Sequence, residues 1–181
     1  VVVFKRGETR GAVLEGFTIT GGSGSRFSTY PAGGGINCRN CSPTIRGNKI
    51  IGNETKSNLG SGGGIFATTS SDATSFAAPL IEQNIFEGNV AGMNGGGLAL
   101  VTGDFVVRAN MFRGNRCRAD GGGIWLWSRG GDALIEHNEF WDNVAGDHGG
   151  GAYAGWRTGA GFFAIERNVF VRNQTVGVGF F

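Results

Sequence analysis

Residues 81–89 read IEQNIFEGN, residues 107–115 read VRANMFRGN and residues 135–143 read IEHNEFWDN. In each, two asparagines stand five residues apart with one phenylalanine between them. The pattern continues outward in both directions. It is IRGNKIIGN at residues 45–53, IERNVFVRN at residues 165–173 and, in degenerate form, LEGFTITGG at residues 14–22. Triple glycines punctuate the same stretch, beginning at Gly33, Gly62, Gly95, Gly121 and Gly149, with gaps of 29, 33, 26 and 28 residues. Self-similarity at such a period is the mark of a solenoid.

The choice between a helical and a β solenoid rests on the apolar runs. They are four to six residues long, β-branched or aromatic, and bounded by Gly and Asn. Those are strand and turn signals; helical repeats of this length need sustained 3.6-residue amphipathy. About three short runs fit in each repeat, which predicts an all-β chain of about six coils, a parallel β-helix stacked at ~4.8 Å per coil.

That fold gives the aligned columns a physical role. Asn48, Asn84, Asn110, Asn138 and Asn168 form one column, and Asn53, Asn89, Asn115, Asn143 and Asn173 a second. Amide side chains stacked in register hydrogen-bond along a ladder, and asparagine tolerates left-handed turns. Ile50, Phe86, Phe112, Phe140 and Phe170 should form an internal stack. Beside them runs Glu15, Arg46, Glu82, Arg108, Glu136, Glu166. Its signs alternate until the last pair, where Arg167 is expected to relieve the repulsion, and in-register opposite charges contribute ~0.2–1 kcal/mol per pair.

Composition supports a packed domain. Of 181 residues 36 are glycine, yet 40% are hydrophobic and no collagen-like triplet period runs through the chain. A formal net charge of +2 argues against a dedicated nucleic-acid binder, and no apolar run approaches the ~20 residues of a membrane span. Cys38 and Cys41 are expected to form a local disulfide or remain two thiols, since zinc would want a second ligand pair. Cys117 aligns with Ala91 and Ala145 as a small packing residue.

The F-x-x-N step followed by G-G-G-[I/L] resembles the repeat of chlamydial-type polymorphic outer-membrane proteins. It is carried by Phe86–Asn89 with Gly95–Leu98, Phe112–Asn115 with Gly121–Ile124, and Phe140–Asn143 with Gly149–Ala152. Phe170–Asn173 matches the first half alone. More broadly, residues 12–175 are similar to the pectin-lyase-like superfamily. The resemblance implies a right-handed, single-stranded parallel β-helix in an exported, cell-surface or extracellular protein, often adhesive.

β-helix enzymes act on polysaccharides, and their acidic clusters are missing here. Asp104 and Asp132 occupy equivalent positions in neighbouring coils, which places them ~5 Å apart, the carboxylate separation of a retaining glycosidase; ordinary Gly-Asp turns explain them equally. Asn94, Asp120 and His148 precede successive triple glycines and make a second polar column able to hold a cation or act as acid and base. His137 is expected on a plain strand. Trp125, Trp127, Tyr153 and Trp156, with Arg129 and Arg157, are expected on an outward face, in a column reading Asn37, Phe66, Ala99, Trp125, Tyr153. Exposed aromatics there can stack on sugar rings or anchor a partner. Trp141 should also point outward.

Solenoids need polar end caps. Residues 1–4 and 176–181, the latter including Phe180 and Phe181, are apolar instead. The whole chain is therefore expected to be one β-helix domain that is a segment of a longer solenoid or an end-to-end assembling unit. Its partners would be further coils, other copies of itself, a polysaccharide or a cell-surface molecule. No cofactor is called for, with calcium the one ion kept open. Catalysis is left open, a non-catalytic exported scaffold standing ahead of a glycan-binding module and of a polysaccharide lyase or glycoside hydrolase.

Overall fold

The computed structural model describes residues 1–27, 30–70, 76–128, 130–156 and 161–177. Four parallel ladders run along a coiled chain. The first joins Val2–Phe4, Ile36–Arg39, Ile65–Thr68, Leu98–Val101, Ile124–Ser128 and Ala152–Trp156. The second joins Val13–Glu15, Thr44–Arg46, Leu80–Glu82, Phe105–Arg108, Ala133–Glu136 and Phe163–Glu166. The third joins Thr18–Thr20, Lys49–Ile51, Ile85–Glu87, Met111–Arg113, Glu139–Trp141 and Val169–Val171. Six strands in each of these sheets make six coils. A fourth ladder of two-residue strands, from Glu54–Thr55 to Gln174–Thr175, adds a side beyond the three runs read in each repeat. Two residues directly after a ladder asparagine are too short to register as an apolar run.

The register is that of the sequence columns. Ile36, Ile65, Leu98 and Ile124 of the first sheet, Ile45, Ile81, Val107 and Ile135 of the second, and Ile50, Phe86, Phe112 and Phe140 of the third are all buried in one core. The phenylalanine rings stack nearly parallel, with centroids 4.5 Å apart for Phe86–Phe112, 4.9 Å for Phe112–Phe140 and 4.6 Å for Phe140–Phe170. On the outer side of the second sheet, Arg46 meets Glu15 at 2.9 Å and Arg108 meets Glu82 at 2.8 Å. At the like-charged Glu136/Glu166 step the neighbour that reaches the pair is His137, with Nδ1 3.5 Å from Glu136, in place of the expected Arg167.

Both asparagine columns are hydrogen-bonded ladders. Asn115 Oδ1 accepts from Asn89 N at 3.1 Å and from Asn89 Nδ2 at 2.9 Å, while Asn115 Nδ2 donates to Phe86 O and to Asn143 Oδ1, each at 2.9 Å. Every buried amide group thus finds partners in the coils on either side. The left-handed residue is the one in front of each asparagine, a correction to the turn role expected of the asparagine itself. Those residues, from Gly47 and Gln83 to Asp142 and Arg172, have φ between 51° and 60°. His137 is one of them, so it marks a corner and not the plain strand position expected. The reason is the ladder: the strained corner turns the following carboxamide inward to bridge two coils.

Glycine is obligatory where backbone meets backbone. A Cβ on Gly96 would run into Gly122 O and would lie 2.5 Å from Arg116 O. The glycine triplets are the seam along which the fourth and first ladders are joined. One local element departs from the solenoid. Ser25–Phe27 and Tyr30–Ala32 pair antiparallel as a hairpin beside the first sheet.

Candidate functional site

The first sheet carries the aromatic residues singled out from the sequence. Its outer column does read Asn37, Phe66, Ala99, Trp125, Tyr153 in register. The first three are not exposed, however: Asn37, Phe66 and Ala99 are all buried. The hairpin explains this. Ala32 packs with Phe66 and Ala99, and Val101 and Trp125 close over the same cluster. Asn37 Nδ2 donates to Ser25 Oγ at 2.8 Å and to Ala32 O at 3.2 Å. The outward face is therefore covered over the second to fourth coils, and is open at Val3 in the first coil and again from Trp125 in the fifth.

There Trp125 and Trp127, two residues apart on one strand, stand as parallel rings with centroids 6.1 Å apart and planes 6° from parallel. Both are half-buried. Trp127 lies over Gly155, where a Cβ would come within 2.6 Å of the indole and 2.9 Å of Tyr153. The missing side chain at Gly155 is what lets the indole lie flat on the sheet. Trp125 Nε1 is buried and without a hydrogen-bond partner. Trp156 ends the last strand of this sheet, opposite Ser128; its side chain, Arg129 and Arg157 lie outside the described residues.

The polar column joins this strip at its edge. Asn94 Oδ1 accepts from Asp120 N at 3.1 Å, and His148 Nδ1 lies 2.9 Å from Asp120 Oδ1. The His148 ring sits 6.1 Å from that of Tyr153. A carboxylate on Nδ1 favours the tautomer with a lone pair on Nε2, and the His148 side chain is 74% exposed. The arrangement is an imidazole oriented by a carboxylate beside an aromatic platform, able to accept a proton or a sugar hydroxyl hydrogen bond. Asp104 and Asp132 are elsewhere, on the approach to the second sheet. Asp104 Oδ1 accepts from Asp132 N at 2.8 Å, and Asp132 Oδ1 accepts from Phe162 N at 2.9 Å. Each carboxylate is used to tie its coil to the next.

Other features fall outside this strip. Trp141 points outward in the Glu87–Arg113 column, with Arg172 5.8 Å above its ring. Arg172 holds Asp142 in a two-pronged pair at 2.7 and 2.8 Å. A cleft of about 450 Å³ beside the hairpin has Lys5, Arg26 and Arg39 on its wall. No sequence signal marked it, because its cations come from three separate segments. Cys38 and Cys41 are joined as a disulfide inside the core. Cys117 packs with Ala91 and Ala145, and burial pushes its thiol up to about 12. Among the described residues no group of three or more His, Cys, Asp or Glu is placed to hold a metal ion, and no helix is long and apolar enough to cross a membrane.

No curated protein and no solved structure matches the chain. A family model does, the one described as right handed beta helix region, over residues 34–181. With the six stacked coils and their two asparagine ladders, that match places the chain in the right-handed β-helix family.

Proposed function

We propose that the chain is a non-catalytic, exported β-helix scaffold that binds a polysaccharide along the outer face of its first sheet. The observation that carries the reading is the parallel Trp125–Trp127 pair, with Trp127 held flat over Gly155 and with Tyr153 and His148 alongside. Half-buried rings fixed on a rigid sheet lose little entropy on binding and offer apolar faces to a sugar ring. The unpaired Trp125 N–H is a donor that a small shift would bring to a hydroxyl acceptor. Lys5 and Arg26, at the other end of the same face, favour an acidic chain. Export to an oxidising compartment is supported by the Cys38–Cys41 disulfide, and the likeness of the repeats to surface-protein repeats supports an adhesin-like role.

The test is retention on a panel of immobilised neutral and acidic polysaccharides, with circular dichroism as the control for folding. Wild-type chain should be retained by at least one acidic polymer, and Trp127→Ala should weaken retention about tenfold or more. Retention unaffected by both Trp125→Ala and Trp127→Ala would remove the sugar-binding part. A second reading, a polysaccharide lyase or glycoside hydrolase, is favoured by the Asp120–His148 pair alone. Release of defined oligosaccharides, abolished by His148→Ala, would establish it in place of the scaffold.

A further inference from the structure

The fourth ladder aligns Glu54 with Val90 and Arg116, and Thr55 with Ala91 and Cys117. The residues that follow are Lys56, Gly92 and Arg118. Two coils with a cation at this step are thus separated by a coil with no side chain there. Gly92 is glycine for a steric reason, since a Cβ would run into Ser57 O. In consequence no side chain divides the space between Lys56 and Arg118, which stand two coil spacings apart, ~10 Å.

That space is a pocket of about 200 Å³, lined by Lys56, Arg116 and Arg118 together with Glu54, Ser57 and Asn58. Its loop wall is fixed by backbone bonds. Gly60 N donates to Ser57 O at 2.8 Å, Leu59 N to Ser57 Oγ at 3.3 Å, and Met93 N of the next coil to Gly60 O at 2.8 Å. Thr55 Oγ1 accepts from Gly92 N at 3.1 Å. The loop is therefore tied to the coil after it, and the pocket is preorganised.

Its charge is unbalanced. On other faces Arg46, Arg108 and Arg172 each meet a carboxylate. Lys56, Arg116 and Arg118 have no hydrogen-bond or ion-pair partner among the described residues. Three cations against the one carboxylate of Glu54 leave the lining with a net charge of +2. A concave wall focuses such a field into the pocket. A dianion cancels that charge, whereas a carboxylate cancels half of it. Guanidinium forks match the paired oxygens of a sulfate or phosphate group, and the ammonium of Lys56 adds a point charge. The Ser57 hydroxyl, which accepts from Leu59 N, keeps its own proton to donate.

We propose that this pocket binds a doubly charged tetrahedral oxyanion, a sulfate or phosphate group. At about 200 Å³ it lies below the range of drug-sized ligand sites, and it takes the free ion or the ion as an ester of one small group. The site lies on the fourth ladder and the loop that follows Thr55, away from the aromatic strip, and goes beyond the polysaccharide reading without resting on it.

Equilibrium dialysis of the full chain against inorganic sulfate and inorganic phosphate tests this, at about pH 8 where both are doubly charged, with ionic strength held constant by sodium chloride and circular dichroism as the folding control. Saturable uptake at a single site is expected, with acetate about tenfold weaker or more. Arg118→Gln should weaken uptake about tenfold or more, and Glu54→Gln should tighten it. Lys49→Gln removes the same charge from the third sheet and should leave uptake unchanged. Trp127→Ala should also leave it unchanged, so failure of the sugar-binding reading and failure of this one are told apart. Uptake that does not saturate, that is matched by acetate, or that responds alike to Arg118→Gln and Lys49→Gln overturns the proposal. Glucose 6-sulfate and glucose 6-phosphate then assign the source: binding tighter than the free ions makes the ligand an ester, and equal or weaker binding makes it the ion itself.

Discussion

Single buried residues set much of the chemistry here, and Cys117 gives the sharpest consequence. Its thiol is pushed from 9.0 to about 12, first by burial, between Ala91 and Ala145. The folded chain therefore holds the proton over a pH range in which the unfolded chain releases it. Stability from this residue is complete below pH 9.0 and declines between pH 9.0 and about 12, with a slope of up to about 1.4 kcal/mol per pH unit. Urea midpoints measured from pH 8 to 11 should fall more steeply for the natural chain than for Cys117→Ala. That substitution should cost little at pH 7, because both register neighbours are already alanine. Equal slopes would mean the thiol is solvated. The packing role of Cys117 was legible from its column, as were the phenylalanine stack and the asparagine ladders, since repeated residues in register have only one way to meet. The location of the left-handed strain was not. Gln83, Ala109, His137 and Arg167 share no side-chain chemistry, and the corner is imposed by the asparagine that follows each.

Strands of three or four residues hold together because backbone from neighbouring coils closes in wherever side chains are missing. Gly96 shows this best, with Gly122 O and the Arg116 backbone occupying the space a methyl would need. Gly122 lies in the glycine seam and Arg116 in the fourth ladder, and neither can retreat without breaking backbone hydrogen bonds such as Gly97 N to Gly122 O and Arg116 N to Asn89 O. Gly96→Ala should therefore cost roughly 3 kcal/mol or more, read as a lowered urea midpoint. Gly88 is a useful contrast: it has open space around it and a φ of 60°, so alanine there should cost about 1 kcal/mol of backbone strain. The glycine seam was visible in the sequence as five triplets. The fourth ladder was hidden by its brevity, and the covered face was hidden because the hairpin at Ser25–Phe27 and Tyr30–Ala32 occurs once. A feature outside the repeat leaves no column to read. That is also why the outer column of the first sheet reads in the expected register while its exposure was overdrawn: nothing in Asn37, Phe66 and Ala99 announces the segment that buries them.

The molecule as a whole is a line of coils, each touching only its neighbours. Its stability is a sum of coil terms and interface terms, so a residue counts according to how many interfaces it serves. Phe112 serves two, stacked on Phe86 and on Phe140, and is fully buried. Phe170 serves one and is 49% exposed. The same substitution should thus read out differently by position. Phe112→Ala removes a ring from the centre of a core that cannot collapse, because the coil spacing is fixed by backbone hydrogen bonds, and should cost about 3–5 kcal/mol. Phe170→Ala removes a ring already half in water and should cost about half of that or less. Position also decides the form of unfolding. A weakened central interface lets the two halves melt separately, so Phe112→Ala should broaden the urea transition or split it, with tryptophan fluorescence, which reports the four tryptophans of the fifth and sixth coils, departing from circular dichroism, which reports all coils. A weakened end should lower the midpoint while keeping the two probes coincident. Equal losses and coincident transitions for both variants would mean that the chain folds as one indivisible unit and that a solenoid's nearest-neighbour accounting does not describe it.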